Sequence, residues 1–430
     1  MNKLIKKTTA AGLTAMLMLT GCAKAAPASD KPLKADPAVK TEINLNEVAT
    51  KKYDEKKLND EYGRYTFELL KKISANAGKN NLMISPASIM MALDMVAAGA
   101  KGQTLKELTA LFAEDTDPLE QQAFASELMK RINNAKKVEF ACANAIWNDS
   151  ARLGDKMNTD YRDYIKKTFE AEFKTVKFGP TTHNEINKWV DEKTNHMIPT
   201  LFDSPLGEDT VMVLVNAIRF EAQWKNGYED SQVADRDFKG TMGEKKVKML
   251  FSTEGDYFST EKAKGFCKYY EGEEYAFVAI LPIDEKADIN EFMSKFSYED
   301  YKKFIASRQS GDVHTMMPEF KSDYTIVLNE TLKNLGAGTV FDPDKCDLTG
   351  IAKPDQGNLF VSKVIHKTHI EVDRKGTKAA AVTGATLDVA SAMPSPDEIK
   401  EVYCDRPYAY AIVDTLTMNP IFIGTVNNVE

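Results

Sequence analysis

The run VMVLVNAIRF, residues 211–220, constrains the fold more than any other segment of the chain. It is almost continuously apolar and rich in β-branched residues, as in a central strand that is covered on both faces. Asn216 is a polar interruption of this run. A strand of this kind needs a sheet around it and packed elements on either side of that sheet. The sequence therefore predicts a large, buried sheet built around these residues.

Helices and further strands can be predicted around this run. An apolar face at helical spacing, followed by Gly78 as a stop, predicts an amphipathic helix near residues 58–73. Ser85 and Pro86 form an N-cap and first-turn pair before IMMALDMVAAGA, which is apolar nearly all round and predicts a buried helix. Strand patterns follow at residues 276–281, at residues 368–373, and in YAYAIVD and PIFIGTV near the C-terminus. Because helices dominate the first half and strands the second, we expect an α+β fold with large antiparallel-type sheets.

The first residues have the pattern of an export signal. Three lysines precede an apolar run at residues 10–19, which is too short to span a bilayer. The following LTGC sequence, ending at Cys22, is similar to the lipobox of bacterial lipoproteins, in which the cysteine thiol carries lipid after cleavage. A secretory signal with an incidental cysteine is the alternative. We expect residues 1–21 to be a signal peptide and the exported protein to be lipid-anchored through Cys22 in a bacterial cell envelope, exposed at its surface.

One large domain is predicted after a spacer. Residues 22–52 carry Pro27, Pro32 and Pro37 among Ala, Lys and Asp, a composition that cannot bury a core. A length of 430 residues would allow two or three domains. Composition nevertheless shows no linker after Tyr53, so we expect a single domain at residues 53–430.

Charge and motif content exclude several classes of function. The net charge of -8 comes from mixed signs without a basic patch, which argues against a nucleic-acid partner. The sequence has no GxSxG, HExxH, P-loop or GxGxxG signature, and its five histidines are scattered. We therefore expect neither an enzyme nor a metal site nor a cofactor.

Four further cysteines stand in no CxxC pair and at no metal-ligand spacing. Buried free thiols are expected, although export to an oxidising compartment leaves a disulfide open. These cysteines are Cys142, Cys267, Cys346 and Cys404.

The segment EVDRKGTKAAAVTGATLDVASAMPSP, residues 371–396, joins a predicted strand to a tail of small residues. Residues 377–393 contain no proline, so every backbone N–H is available for a sheet, yet most side chains are too small to demand burial. With Gly376 as a hinge, this segment could be exposed or inserted as a strand. An alanine-rich surface loop is the alternative. At period two, one face of such a strand would carry Thr377, Ala379, Ala381 and Thr383.

This segment resembles the hinge of the serpin family, in which a Gly-Thr step and a run of alanines follow a strand. In this chain the run is Ala379, Ala380 and Ala381. Four other segments resemble serpins in the same order along the chain. NLMISPASIMMAL resembles the shutter helix, VLVNAIRFEAQW the central strand, INKWVDEKTNHMIPTLF the helix that crosses the sheet, and PYAYAIVDTLTMNPIFIGTV the closing hairpin. Together they cover nearly all of residues 53–430.

The resemblance implies a serpin fold with three β-sheets, a cluster of helices and an exposed reactive-centre loop at about residues 376–400. It also implies an irreversible inhibitor, a monomer that forms a covalent complex with a serine protease or, as a second class, a cysteine protease. Once the protease has cleaved the loop and is held as an acyl-enzyme, the freed strand inserts into the central sheet. The oxyanion hole and triad are distorted, which traps the ester.

Family spacing from Gly376 places the cleaved bond between Ala390 and Ser391. Small apolar side chains there suit an elastase-like or subtilisin-like protease rather than a trypsin-like one. Because the stretch from this bond to Pro407 is longer than in familiar members, three other positions stay open for the residue before the bond. They are Leu387, Val389 and Ala392.

Two further groups match family positions. The polar residues Ser85, Ser88, Asn216 and His366 match the shutter, where the strands of the central sheet must part, and Trp224 matches the tryptophan at the place where the loop enters. Satisfied core residues without a special role are the alternative for each.

The chain departs from the family at two positions. Arg374 stands where many inhibitory members carry Glu, and His196 stands where members often have Gly.

Two rival functions remain open. One is a non-inhibitory serpin fold used for ligand carriage or as a chaperone, and the other is a surface adhesin or structural lipoprotein. Non-inhibitory members tend to carry bulky, charged or proline residues at the inward hinge positions, whereas those of this chain are small.

Overall fold

The computed structural model describes residues 41–113, 115–154, 156–207, 210–354, 357–377 and 400–429. The predictions for the signal peptide, Cys22, loop residues 378–399 and the side chains of Cys142 and Asn216 lie outside this description. The described α-helices are α1 (Glu55–Ser74), α2 (Pro86–Ala97), α3 (Gly102–Phe112), α4 (Pro118–Asn133), α5 (Thr159–Phe169), α6 (Thr182–Lys193), α7 (Ile289–Lys295), α8 (Tyr298–Ala306) and α9 (Asn329–Asn334). The described strands are β1 (Leu82–Ile84), β2 (Val138–Asp149), β3 (Glu172–Val176), β4 (Met212–Gln223), β5 (Val233–Gly240), β6 (Gly243–Ser259), β7 (Ala263–Tyr269), β8 (Tyr275–Pro282), β9 (Gln309–Pro318), β10 (Phe320–Val327), β11 (Ile365–Val372), β12 (Gly376–Thr377), β13 (Lys400–Tyr403), β14 (Tyr408–Asp414) and β15 (Pro420–Val426).

Local capping explains where the first two helices begin. The Asp54 side chain accepts a hydrogen bond from the Lys57 amide at 3.0 Å, so α1 begins a few residues before the predicted apolar face. Ser85 Oγ accepts from the Ser88 amide at 3.2 Å, and Pro86 occupies the first turn of α2. The predicted start of the buried helix is therefore confirmed.

The described strands form three sheets. Six strands pair in the order β10-β11-β12-β4-β2-β3. The other nine are connected in the order β1-β15-β14-β8-β7-β6-β9-β13, with β5 also paired to β6. The long strand β6 divides this network, because residues 243–250 pair with β5 and residues 249–257 with β9, whereas residues 257–259 pair with β7. This architecture confirms the predicted α+β fold with three sheets and a cluster of helices.

The predicted central strand is β4, which is covered on both faces. Val213 and Val215 pack on one face in a cluster with Trp189 and other residues of α6. Leu214 and Ile218 belong on the other face to the main core, which also contains α2. The continuous apolar pattern of this strand thus arises because both of its faces are buried.

The part of the chain that packs into the fold begins before Tyr53, within the described residues that start at Thr41. Ile43 and Val48 are buried in the main core, and the Lys51 ammonium lies 2.8 Å from the carboxylate of Asp117, the N-cap of α4. Residues 41–52 therefore do not belong to a spacer. The sequence analysis missed this because only a few apolar residues stand in this mostly polar segment.

Three of the four cysteines can be placed. Cys267, Cys346 and Cys404 are buried free thiols, as expected, and burial raises the pKa of Cys267 and Cys346 to about 12. In the part of the chain that the structure describes, no group of three or more His, Cys, Asp or Glu residues could hold a metal ion. Within the same residues, we find no helix with the length and apolar character needed to cross a bilayer.

Helix α6 is fastened to the edge of the six-stranded sheet by Glu172 of β3. The Glu172 carboxylate accepts a hydrogen bond from Trp189 Nε1 at 3.1 Å and forms ion pairs with Lys174 and, at the end of α6, Lys193. Burial alone would raise the pKa of Glu172, but the hydrogen bonds from Lys174 and Lys193 outweigh it and lower the pKa to about 2. The ionised carboxylate is thus part of the contact between helix and sheet.

We expect Glu172→Gln to destabilise the protein at neutral pH and to have little effect near pH 2. Because the folded-state pKa lies below the ordinary value of 4.5, the stabilisation is complete above that value and is lost as the pH falls towards 2. Thermal unfolding midpoints of variant and wild type across this range measure the difference. Glu192→Gln, which removes only an exposed pairing with Lys188 at 3.9 Å, is the control. A difference that does not change with pH would contradict the assignment.

Candidate hinge and strand-insertion site

The segment after β11 turns back and enters the six-stranded sheet as the two-residue strand β12. Gly376 pairs with Gln223 and Thr377 with Ala222, both in antiparallel register with β4. On its other side Thr377 pairs with Val372 of β11. The first two residues of the predicted loop are therefore already a strand between β11 and β4.

An Asx turn reverses the chain between β11 and β12. Asp373 Oδ1 accepts hydrogen bonds from the amides of Lys375 at 2.7 Å and Gly376 at 3.1 Å. The Asp373 amide donates to the Gly376 carbonyl at 2.9 Å. The direction in which the loop enters the sheet is thus set by one aspartate that the sequence analysis did not single out.

Gly376 is required because the neighbouring backbone comes too close for a side chain. A Cβ atom at this position would lie 2.1 Å from the Ala222 carbonyl oxygen and 2.8 Å from Gln223 Cα. Both atoms belong to the backbone of β4, which cannot move without disturbing the sheet. Gly376 was predicted as a hinge, and in the structure it also permits this close approach.

Trp224 holds the turn against the core, at the place where the resemblance put the entering loop. Its Nε1 donates to the Asp373 carbonyl at 2.9 Å, and its amide donates to the Lys375 carbonyl at 2.8 Å. The indole stacks on the ring of Tyr270, with centroids 4.5 Å apart and planes at 11°. The Tyr270 hydroxyl in turn lies 2.7 Å from Thr377 Oγ1, and both groups are buried. The side chain of Thr377 therefore points into the core.

Arg374, one of the two departures from the family, has acidic partners. Its guanidinium lies 2.5 Å from the Asp230 carboxylate and 3.5 Å from the Glu319 carboxylate. Its carbonyl accepts a hydrogen bond from the Tyr228 amide at 2.8 Å. A positive charge at this position thus ties the turn to its surroundings. These partners lie far away in the sequence, so only the fold reveals them.

Farther along the sheet β4 and β11 are direct neighbours. Lys367 of β11 pairs in parallel with Ala217 of β4. The Lys367 ammonium also donates to the Thr200 carbonyl, at 2.5 Å, in the segment that follows α6. A strand that continued from β12 would have to separate β4 from β11 here.

Part of the predicted shutter cluster adjoins this point. His366 is buried, and its Nε2 accepts a hydrogen bond from the Ser85 amide at 3.0 Å. Ser85 Oγ donates to the Ile421 carbonyl at 2.9 Å and accepts from the Ser88 amide. Ser85, Ser88 and His366 therefore lie together, whereas Trp224 belongs to the turn between β11 and β12.

Burial keeps His366 neutral by lowering its pKa from 6.5 to about 3. Because Nε2 accepts a hydrogen bond, the neutral ring carries its proton on Nδ1. Between these two pKa values the unfolded chain binds a proton that the folded chain does not, so the contribution of His366 to stability falls as the pH is lowered through this window.

We expect His366→Ala to accelerate the conversion of the protein to polymers or to a loop-inserted monomer on mild heating. The variant leaves the Ser85 amide unsatisfied in the core, at a cost of roughly 1–3 kcal/mol, so conversion should become about tenfold faster or more. Native gel electrophoresis after timed heating measures this rate. His369→Ala on the same strand, where the ring pairs with Asp323 at 2.9 Å near the surface, is the control. Unchanged kinetics in His366→Ala would contradict the shutter role.

The second departure, His196, lies in a left-handed turn after α6. Asn195 has φ 50° and His196 has φ 61°, values that favour glycine but that Asn and His also adopt. The His196 ring lies 2.7 Å from the Asp191 carboxylate. His196 therefore takes a conformation that glycine would adopt more easily.

The far end of the loop rejoins the protein in a different sheet. β13 pairs in parallel with β9, beginning with Lys400 opposite Val313. The residues between β12 and β13 include the predicted hinge face and cleaved bond, and they lie outside the described residues. They are Ala379, Ala380, Ala381, Thr383, Leu387, Val389, Ala390, Ser391 and Ala392.

Comparison with known proteins identifies the family. A family model described as "Serpin (serine protease inhibitor)" matches residues 60–429. The chain belongs to the serpin family. Members of this family are protease inhibitors and not catalytic enzymes.

Relatives of this serpin are similar over most of their length. It is 31% identical to Iripin-5 of Ixodes ricinus over 378 residues, which cover 85% of this chain and 93% of that protein. It is 32% identical to a serine protease inhibitor of Cyanea capillata over 366 residues, or 81% of this chain and 93% of that protein. It is 29% identical to leukocyte elastase inhibitor A of Mus musculus, with 84% and 97% covered.

Solved serpin structures have the same fold. The native state of the thermophilic serpin tengpin superposes with a TM-score of 0.81 at 35% identity, covering 91% of this serpin and all of tengpin. The latent state of tengpin gives a lower TM-score of 0.75, at 34% identity and 88% coverage of this chain.

Proposed function

We propose that this serpin irreversibly inhibits serine proteases by inserting its cleaved loop as a new strand between β4 and β11. The observation that carries this proposal is β12 itself, whose two residues already occupy that place at one end of the sheet. Direct pairing of Lys367 with Ala217 closes the gap at that point until the loop enters.

The register of β12 indicates which loop residues would face the core. Each further residue would pair one position closer to the start of β4, so Lys378 would lie opposite Glu221 and Ala379 opposite Phe220. Phe220 is buried in the main core and Glu221 is partly exposed. Since Thr377 points inward, Ala379, Ala381 and Thr383 would share its face, where only small side chains fit.

The proposed reaction uses the chemistry of the protease. The protease serine attacks the carbonyl of Ala390, forms an ester with it and releases the amino group of Ser391. Insertion of the freed segment then satisfies its backbone N–H and C=O groups in the sheet and moves the tethered protease away. Hydrolysis of the ester needs an intact oxyanion hole and triad, so distortion of the enzyme traps the complex.

The target class and the location are parts of the same proposal. Small apolar residues around Ala390 favour an elastase-like or subtilisin-like protease, and a relative of similar length is named leukocyte elastase inhibitor A. Lipid on Cys22 would anchor the monomeric inhibitor in a bacterial cell envelope, at its outer surface. Loss of labelled lipid incorporation in Cys22→Ser would support the anchor, and unchanged incorporation would contradict it.

Incubation with proteases of three specificities tests the inhibition. The full chain is mixed with an elastase-like, a subtilisin-like and a trypsin-like enzyme and examined by denaturing electrophoresis. We expect an SDS-resistant complex with one of the first two, and none after the active-site serine of the enzyme has been blocked. Mass spectrometry of the released C-terminal fragment locates the bond. Quantitative cleavage by every enzyme without a complex, and without a gain in thermal stability, would favour a non-inhibitory serpin.

A further inference from the structure

Helix α2 carries a buried carboxyl group that the proposed function does not use. Asp94 lies in an otherwise apolar stretch of the helix and is fully buried. Among the described residues, no Lys, Arg or His side chain forms a hydrogen bond or an ion pair with it. A buried carboxylate normally needs such a partner, because its desolvation costs several kcal/mol.

Two glutamines of α4 provide the hydrogen bonds that Asp94 receives. Gln121 Nε2 donates to Asp94 Oδ1 at 2.5 Å. Gln122 Nε2 donates to the Asp94 carbonyl at 2.9 Å, and its own Oε1 accepts from the Tyr164 hydroxyl at 2.7 Å. Tyr164 thereby fixes the orientation of the Gln122 amide. The carboxyl group is surrounded by neutral donors.

Two oxygen atoms of this cluster are left without a partner. Asp94 Oδ2 and Gln121 Oε1 are both buried and have no hydrogen bond within the described part of the structure. They belong to the two side chains that already share the hydrogen bond from Gln121 Nε2 to Asp94 Oδ1. A single proton on Oδ2 would give the carboxyl a donor and the amide oxygen a partner.

We propose that Asp94 is a proton-binding site of the folded protein, in which a neutral carboxylic acid and the Gln121 amide form a cyclic pair with two hydrogen bonds. The proton comes from solvent when the chain folds and returns to it when the chain unfolds. Two unsatisfied buried atoms then satisfy each other, which an ionised Asp94 could not achieve.

The surroundings favour the neutral form. Burial raises the pKa of Asp94 well above its ordinary value, and the hydrogen bond from Gln121 offsets this only in part. The titratable groups that face Asp94 are Tyr65 of α1 and Tyr164 of α5, whose pKa values burial also raises, so both stay neutral.

Several charged residues on the other elements packed against α2 have partners elsewhere. On α3 the Glu107 carboxylate binds Thr339, and on β4 Arg219 pairs with Glu221. On α4 Glu120 pairs with Lys51, and β15 has no titratable residue.

The site makes stability fall as the pH rises. Between the ordinary pKa of 3.8 and the raised folded value, the folded chain holds a proton that the unfolded chain has lost. One such proton increases the unfolding equilibrium constant about tenfold per pH unit. This dependence is opposite in sign to that of His366 and does not depend on inhibition.

Infrared spectroscopy of the full chain at pH 7 tests the proposal directly. We expect the C=O band of a protonated carboxylic acid, lost in Asp94→Asn and shifted in Gln121→Met, which removes the cyclic pair. The wild-type spectrum requires no variant, so absence of this band would overturn the proposal even if a variant failed to fold.

Unfolding measurements between pH 5 and 9 provide the second test. In Asp94→Asn the unfolding equilibrium constant should lose its increase of about tenfold per pH unit. The stability of the variant relative to the wild type should therefore rise with pH. Asp256→Asn is the matched control, because this buried carboxylate has a cationic partner in Arg308 at 2.7 Å. Asp256→Asn should destabilise the protein without removing the infrared band of the protonated carboxylic acid. An equal pH dependence in wild type and Asp94→Asn would overturn the proposal.

Discussion

Ala379→Arg is expected to turn the proposed inhibitor into a substrate. In the register of β12, residue 379 would lie opposite Phe220, on the face where the Thr377 hydroxyl meets Tyr270 in the core. An arginine there would bring an unpaired charge into the core, at a cost of several kcal/mol. Insertion should slow by about a hundredfold or more, so that the ester hydrolyses before the protease is distorted.

The yield of SDS-resistant complex per cleaved loop measures this effect. The matched control is Lys378→Arg, which puts the same side chain one residue earlier, on the opposite face and facing Glu221. This control should keep the complex. Full complex formation by Ala379→Arg would show that the loop does not continue the register of β12.

The second large effect is expected for Gly376→Ala. Its Cβ would lie 2.1 Å from the Ala222 carbonyl oxygen, so β12 or the end of β4 must shift. Overpacking of this kind costs roughly 1–3 kcal/mol. We expect β12 to leave the sheet and the yield of complex to fall by about tenfold, because the same collision recurs in the inserted strand.

Hydrogen exchange separates this local effect from general destabilisation. The amides of Trp224 and Tyr228 donate to carbonyls of the turn and should lose protection in Gly376→Ala. Gly255→Ala is the control, because its Cβ would have no atom within 4 Å. Unchanged protection at Trp224 together with normal complex yield would rule out the proposed role of Gly376.

Elements that depend on local pattern could be predicted from the sequence. The apolar run of β4, the Ser85-Pro86 start of α2 and the closing strands β14 and β15 were all identified with errors of only a few residues. In each case the residues that decide the structure are neighbours in the chain, or share a face that periodicity reveals.

Features that depend on distant partners could not be predicted. Tyr270 and Thr377 are 107 residues apart, and their hydrogen bond follows only from the pairing of β12 with β4. Asp94 was interpreted as part of an apolar helix, because the residues near it in the chain do not indicate its hydrogen bond from Gln121. The division of β6 between two sheets likewise has no local signal.

The short strand β12 also bears on the timing of the proposed inhibition. Starting a new strand costs chain entropy before much hydrogen bonding is gained. Here that initiation is complete before a protease arrives, with Gly376 and Thr377 in register. Growth can then proceed in one direction only, carrying the enzyme about 3.3 Å with each residue added. The rate at which the strand elongates would then determine whether insertion outruns ester hydrolysis. This rate would depend on the pair Lys367 and Ala217, where β4 and β11 must separate.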